Sequence, residues 1–230
     1  ELIYAQRGNE VFVNLFINSE AKLKIGDANV TITQTSNYPW DGRVRIRASA
    51  DRATKLQLRV RVPIWTTGQT PIGTDLYTFP PAVGAEPVLS IFDAVRPSPR
   101  PGWADLPMTL QPGTGGKTNF MEVRLNLPMP VRRVLPNDGI RENAGKAAIQ
   151  RGPLVYALEG ADNDGKVLDI VAPLATQFTP VERKDLLGGV TTLTATLAAS
   201  GEAPARTITA IPYFAWANRG RGEMVVWIRR

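Results

Sequence analysis

Arg43-Val-Arg-Ile-Arg-Ala-Ser-Ala-Asp-Arg-Ala-Thr-Lys-Leu-Gln-Leu-Arg-Val-Arg-Val62 decides the fold class. Val44 and Ile46 alternate with Arg43, Arg45 and Arg47. Leu56, Leu58, Val60 and Val62 alternate with Lys55, Gln57, Arg59 and Arg61. A period of two sends one set of side chains into a core and the other into water. No helical period of comparable strength occurs elsewhere in the chain. The expected fold is all-β, with two antiparallel, jelly-roll-like β-sandwich units in tandem and little or no helix.

Upstream, Tyr4–Val13 reads as a hairpin turning at Gly8-Asn9. Val11, Val13, Leu15 and Ile17 then share one face, with Phe12 and Phe16 on the other. Two apolar faces predict a strand covered on both sides, one cover being a neighbouring domain. Downstream, residues 63–119 are rich in Pro and Gly and read as a loop-rich excursion. Short strand-like pieces at Asp75–Phe79 and Val88–Phe92 interrupt it, and the sheet resumes at Phe120–Leu127. Pro128-Met-Pro130 and Pro136-Asn-Asp-Gly139 resist a central ladder and suggest a boundary. The first sandwich is placed at 1–133 and the second at 134–217. The latter holds strands at Lys146–Ile149, Leu154–Leu158, Val167–Val171, Thr191–Leu197 and Thr207–Ile211. A closing strand within 218–230, at Met224–Ile228, is free to join either unit.

The chain of 230 residues has no cysteine and no histidine. Disulfides, thiolate nucleophiles, imidazole bases and Cys/His zinc sites are therefore outside its means. Hydrophobic content of 43% with 21% charged residues favours a folded chain over a disordered one. No apolar run reaches the roughly 20 residues of a membrane helix, and Glu1-Leu-Ile-Tyr4 opens directly in strand-like sequence, as a piece of a longer polypeptide would. The net charge is +6, spread along strands without a Lys/Arg block. That distribution favours a solvated sheet face over a nucleic-acid or membrane surface.

Several short stretches carry chemistry at first sight. Pro112-Gly-Thr-Gly-Gly-Lys-Thr118 lacks the first glycine of a phosphate loop, because Gln111 stands there, and a strand follows it; a hairpin loop is the simpler reading. Asp162-Asn-Asp-Gly165 with Asp169 offers hard oxygens for calcium but lacks EF-hand spacing, and such clusters are ordinary turn sequence. Tyr38, Trp40 and Asp41 form a candidate sugar platform with a carboxylate acceptor; core or interdomain packing is the plainer role for such aromatics. The same choice applies to Tyr213, Phe214, Trp216, Asn218 and Arg219. Arg43, Arg45, Arg47, Arg59 and Arg61 would line one cationic face, open to anionic glycan or simply solvated. Paired carboxylates for glycoside hydrolysis have candidates in Glu122, Glu142, Glu159, Glu182, Glu202 and Glu223, yet no pair stands out.

Four blocks carry a family resemblance in order. They are Ile32–Gly42 (Ile-Thr-Gln-Thr-Ser-Asn-Tyr-Pro-Trp-Asp-Gly), Leu125–Val134 (Leu-Asn-Leu-Pro-Met-Pro-Val-Arg-Arg-Val), Ala148–Glu159 (Ala-Ile-Gln-Arg-Gly-Pro-Leu-Val-Tyr-Ala-Leu-Glu) and Thr209–Trp227 (Thr-Ala-Ile-Pro-Tyr-Phe-Ala-Trp-Ala-Asn-Arg-Gly-Arg-Gly-Glu-Met-Val-Val-Trp). Together they resemble the C-terminal β-sandwich region of glycoside hydrolase family 127, the bacterial β-L-arabinofuranosidases. The resemblance implies a parent enzyme acting on plant-type glycans, with an upstream (α/α)6 barrel carrying a zinc-bound cysteine nucleophile and a glutamate acid/base. No catalytic or metal residue of that kind transfers to this chain. Its implied role is to buttress the barrel. An autonomous carbohydrate-binding module is the alternative, built on Tyr38, Trp40 and Trp216.

Overall fold

The computed structural model describes residues 3–67, 75–80, 88–91, 94–96, 102–197 and 205–230. The chain divides into two compact units, Glu1–Thr67 with Gly84–Met129, and Gly68–Val83 with Pro130–Arg230. The division falls inside Pro128-Met-Pro130. Tyr77–Thr78, from the stretch read as an excursion of the first sandwich, pairs instead with Leu135 and Pro136 of the second unit. Phe92, Glu202 and most of residues 68–101 lie outside the described residues.

The first unit is a sandwich of two sheets. One has four strands in the order Tyr4–Arg7, Glu10–Val13, Thr54–Val62 and Gly102–Leu110. The other has six, in the order Ser19–Ile25, Ala28–Ser36, Arg43–Ala50, Phe120–Asn126, Val88–Ile91 and Ala94–Arg96. The alternation read from the sequence is the alternation observed. Val44, Ile46, Leu56, Leu58, Val60 and Val62 are all buried in one core shared by both sheets. Each such Leu or Ile contributes about 1.5–3 kcal/mol relative to exposure.

Arg43–Ala50 and Thr54–Val62 nevertheless belong to different sheets, so their arginines point out on opposite sides of the sandwich. The single cationic face expected from sequence is two faces. The loop Gln111–Asn119 likewise joins strands of different sheets and crosses the sandwich, where a hairpin loop was expected. It turns tightly: a Cβ on Gly113 would lie 1.8 Å from the Lys117 carbonyl oxygen. Gly102–Leu110 is a nine-residue strand hidden within the expected excursion. Pro107 sits in it without harm because the strand lies at the sheet edge. The expected strand through Ile17 stops at Val13, and a bend at Leu15 resets the alternation. Phe16 is buried, whereas Leu15 and Ile17 are exposed.

The second unit is one branched antiparallel sheet with an irregular segment over its core. Strand order runs Thr179–Arg183, Val190–Leu197, Arg206–Pro212, Leu154–Glu159, Lys146–Arg151, Val131–Pro136 and Tyr77–Thr78. The closing stretch makes two short strands rather than one. Met224–Val225 pairs with Leu154–Glu159 and Ile228–Arg229 with Lys146–Arg151, so both stay in the second unit. Residues 167–171 form turns and one isolated bridge, not the expected strand. Val167 and Ile170 reach the core from them, while Leu168 and Val171 face water. No described helix is long and apolar enough to cross a membrane.

Gly42 fixes how the Tyr38–Gly42 turn meets the strand end at Leu127. Leu127 donates its N–H to the Gly42 carbonyl at 2.9 Å, and a Cβ on Gly42 would lie 1.8 Å from the Leu127 carbonyl oxygen. Backbone cannot move aside as a side chain can. Gly42→Ala is expected to destabilise the protein by about 3 kcal/mol, read by urea unfolding. Gly8→Ala, at φ 60 with open space around it, is expected to lose only about 1 kcal/mol. Equal losses would show that Gly42 serves conformation rather than close approach.

Candidate functional site

The loop Tyr213–Glu223 carries the densest set of candidate residues. Pro212 ends the Arg206–Pro212 strand, and Tyr213–Ala215 makes a single 3-10 turn. The turn presents Tyr213, Phe214 and Trp216 outward at 44%, 62% and 39% exposure, an unusual concentration of aromatic surface. The Tyr213 and Trp216 rings stack at 6.2 Å with planes 22° apart. Asn218 is exposed, and its Nδ2 donates to the Ala215 carbonyl at 3.0 Å and holds the turn.

A buried ion cluster anchors this loop. Glu159 ends its strand at 4% exposure, and Asp162 follows on the next turn. Arg219 reaches both: Nη1 donates to Asp162 Oδ1 at 2.6 Å, and Nη2 donates to Glu159 and Asp162. Hydrogen bonding to Asp162 comes first among the effects holding the Arg219 guanidinium protonated, ahead of the burial that opposes it, and its pKa is raised. Glu159 Oε1 also accepts the N–H of Ala217 at 3.0 Å. Ala217 has φ 64, a left-handed conformation disfavoured outside glycine, and this bond helps hold it there. Beside the cluster, buried Asn163 donates to the Glu159 and Thr209 carbonyls and accepts from Thr209 N–H. Asp162-Asn-Asp-Gly165 is thus a turn with Asp164 and Gly165 at positive φ, and its first carboxylate serves Arg219. Among the described residues, no group of three or more His, Cys, Asp or Glu is placed so that it could hold a metal ion.

The second candidate group lies in the first unit. Tyr38 turns inward, packing edge-on to Phe16 at 5.6 Å. Burial pushes its phenol up, partly offset by a hydrogen bond with Trp65. The Tyr38–Pro39 peptide is cis, and Trp40 is half-buried. Asp41 accepts the Arg43 N–H at 2.9 Å and its guanidinium at 3.0 Å. Burial alone would lift the Asp41 carboxyl, yet these bonds hold it below the usual value. The structure therefore gathers the candidates into two groups, Tyr38/Trp40/Asp41 in one unit and Tyr213/Trp216/Asn218/Arg219 in the other.

Sequence reading missed the partners of the arginines. Glu122 looks like one more polar position in an alternating strand. Cross-strand register places it opposite Arg47, with Arg45 and Arg124 beside it. Its side chain is only 7% exposed and lies 2.7 Å from both Arg47 and Arg124. Glu159 and Asp162 were equally silent, since they lie 60 and 57 residues from Arg219. A double-glycine turn closing on an Asn-Arg pair was the one available signal.

Two stability tests follow from these clusters. Arg219→Met strands the buried Glu159 carboxylate and the part-buried Asp162 carboxylate and is expected to cost about 3 kcal/mol. Adding Glu159→Gln and Asp162→Asn should restore part of that in urea unfolding. At Glu122, burial would raise the carboxyl, but bonds from Arg47 and Arg124 and the Arg45 charge hold it below its ordinary value near 4.5. A depressed folded value gives stability present above the unfolded pKa and lost as pH falls through the folded one. Glu122→Gln is expected to cost about 1–2 kcal/mol at neutral pH. Unfolding across a pH series should show that deficit shrinking below the ordinary value; a constant deficit would assign it to packing.

Two family models match the chain in sequence order. The GH127 middle domain of β-L-arabinofuranosidase covers residues 10–75, and the glycoside hydrolase family 127 C-terminal domain covers residues 131–229. A non-reducing end β-L-arabinofuranosidase of Bifidobacterium longum subsp. longum is 31% identical over 99% of this chain and 34% of its own length. The crystal structure of a GH127 β-L-arabinofuranosidase from Geobacillus stearothermophilus T6 is 32% identical, with a TM-score of 0.77, over 99% of this chain and 34% of that one. A further solved GH127 β-arabinofuranosidase has a TM-score of 0.84 at 28% identity, covering 36% of its chain. The chain spans about a third of the length of these relatives. With two of the family's domains matched in order and relatives of 31% and 32% identity aligning over 99% of its length, the chain belongs to glycoside hydrolase family 127.

Proposed function

We propose that this chain is the non-catalytic β-sandwich portion of a β-L-arabinofuranosidase, buttressing an (α/α)6 barrel carried elsewhere in the polypeptide. The parent reaction is hydrolysis of β-L-arabinofuranosidic linkages in plant-type glycans. The carrying observation is the share of the relatives that the chain matches: 99% of itself against 34% of proteins named for that activity. The residue inventory supports the reading, because a sequence without Cys or His lacks the family's nucleophile and any imidazole base. Zinc, on this reading, belongs to the barrel. The anchored aromatic loop supports it too. Tyr213, Phe214 and Trp216 offer a stiff apolar patch, suited to bury against a partner surface.

A second reading, an autonomous carbohydrate-binding module, is favoured by one specific observation. The exposed Tyr213–Trp216 ring stack is the kind of surface on which sugar C–H faces pack.

The isolated chain is expected to leave an aryl β-L-arabinofuranoside intact while the full-length enzyme cleaves it; cleavage by the chain alone would end the support reading. In the full-length enzyme, Phe214→Ala with Trp216→Ala should lower the unfolding temperature of the barrel. Tryptophan fluorescence of the isolated chain that responds to arabino-oligosaccharides, and stops responding in Trp216→Ala, would favour the module instead.

A further inference from the structure

On the outer face of the six-stranded sheet, strand ends and the Asn37–Gly42 turn enclose a recess of about 540 Å³. That volume lies in the range of small-molecule sites, about 300–1,000 Å³. Its polar lining is Thr35, Asn37, Asp41, Arg43, Arg45, Arg124 and Asn126. Hydroxyl, amide and guanidinium groups thus converge on one hollow.

The electrostatics of this face are unbalanced among the described residues. Arg43, Arg45, Arg47 and Arg124 face two carboxylates, Asp41 and Glu122. Asp41 is taken up by Arg43. Each oxygen of Glu122 accepts one hydrogen bond: Arg47 Nε donates to Oε2 and Arg124 Nε to Oε1, each at 2.7 Å. Arg45 Nε stands 3.6 Å from Oε1, beyond hydrogen-bonding distance, with its side chain half exposed in the recess. Register sets Arg45 directly opposite Arg124, and Glu122 Oε1 serves both, at 3.6 Å from Arg45 and 2.7 Å from Arg124. The opposite face of the sandwich differs. There Arg59 forms ion pairs with Glu10 at 2.7 Å and Asp105 at 3.2 Å, so its charge is met twice.

We infer that this recess binds a carboxylated saccharide, with the Arg45 guanidinium forking onto a uronate carboxylate and Thr35, Asn37 and Asn126 meeting sugar hydroxyls. A planar guanidinium suits a carboxylate because two parallel N–H donors match its two oxygens. Buried Glu122 acts as an organiser: it fixes Arg47 and Arg124 and leaves Arg45 available. The saccharide half of the assignment draws on family membership. The site does not depend on the support role, and the two fail in different experiments, one in a hydrolysis assay and the other in a binding isotherm.

The test is calorimetric titration of the chain with trigalacturonate at low salt. Binding is expected, weakening as salt rises. Fully methyl-esterified trigalacturonate and the Arg45→Ala variant should each bind roughly tenfold or more weakly. Arg45→Lys should recover only part of the loss, since a point charge cannot fork. Arg45 is half exposed, so both variants should keep the parent circular dichroism and unfolding midpoint. No binding, or binding unaffected by Arg45→Ala, would overturn the inference. Inorganic phosphate or free galacturonate binding as tightly as the trisaccharide would reduce the recess to a simple anion site and overturn the saccharide assignment.

Discussion

A sheet in a sandwich has one face to bury, and most of the first unit follows from that constraint. Val44, Ile46, Leu56, Leu58, Val60 and Val62 all enter one core because their spacing leaves no other phase. Polar residues between them are forced outward, and cross-strand register then decides which charges meet. Arg45 faces Arg124 and Arg47 faces Glu122 because hydrophobic residues one step away lock the strands. The charged constellation on the outer face is thus a consequence of core packing. Gly42 shows the same dependence from the turn side, since the backbone of Leu127 occupies the space its side chain would need.

Two buried carboxylate sites answer the cost of burying charge in different ways. Glu159 and Asp162 share Arg219, and the arrangement closes on itself, with the Ala217 N–H as a further donor. Glu122 instead has three guanidiniums around it, Arg47 and Arg124 at 2.7 Å and Arg45 at 3.6 Å. The first arrangement rigidifies a loop, because breaking any contact exposes a buried charge. The second keeps spare donor capacity near the surface. Their positions agree with these roles: one lies under the exposed aromatics Tyr213, Phe214 and Trp216, the other beside an open recess.

Strands with uninterrupted alternation were legible from sequence. Arg43–Ala50 and Thr54–Val62 stood out because both periods run for several residues without Pro or Gly. Gly102–Leu110 did not, since Pro107 reads as a breaker unless an edge position is known. The bend at Leu15 was hidden too, because apolar residues continue on both sides of it. Sheet membership was beyond reach: nothing local tells Arg45 and Arg59 that they will face opposite ways. For the candidate sites, the sequence supplied the residues but not their partners. Arg219 was a visible candidate; Glu159 and Asp162 became its partners only through contacts spanning nearly sixty residues.

The same distinction bears on what this portion of a family 127 enzyme can do. Chemistry on a glycosidic bond needs groups whose protonation is poised, and poise comes from burial left partly uncompensated. Here the buried acids described are compensated: Glu159 and Asp162 by Arg219, and Glu122 by Arg47 and Arg124. Glu122 is held below its ordinary value, the reverse of what a general acid requires. Such acids hold shape. The exposed groups are of another kind, the half-exposed Arg45 guanidinium and the aromatic surface of Tyr213, Phe214 and Trp216. The supporting role and the recognition role proposed for this portion draw on the same structural economy: carboxylates bonded inside, arginine and aromatic surface outside.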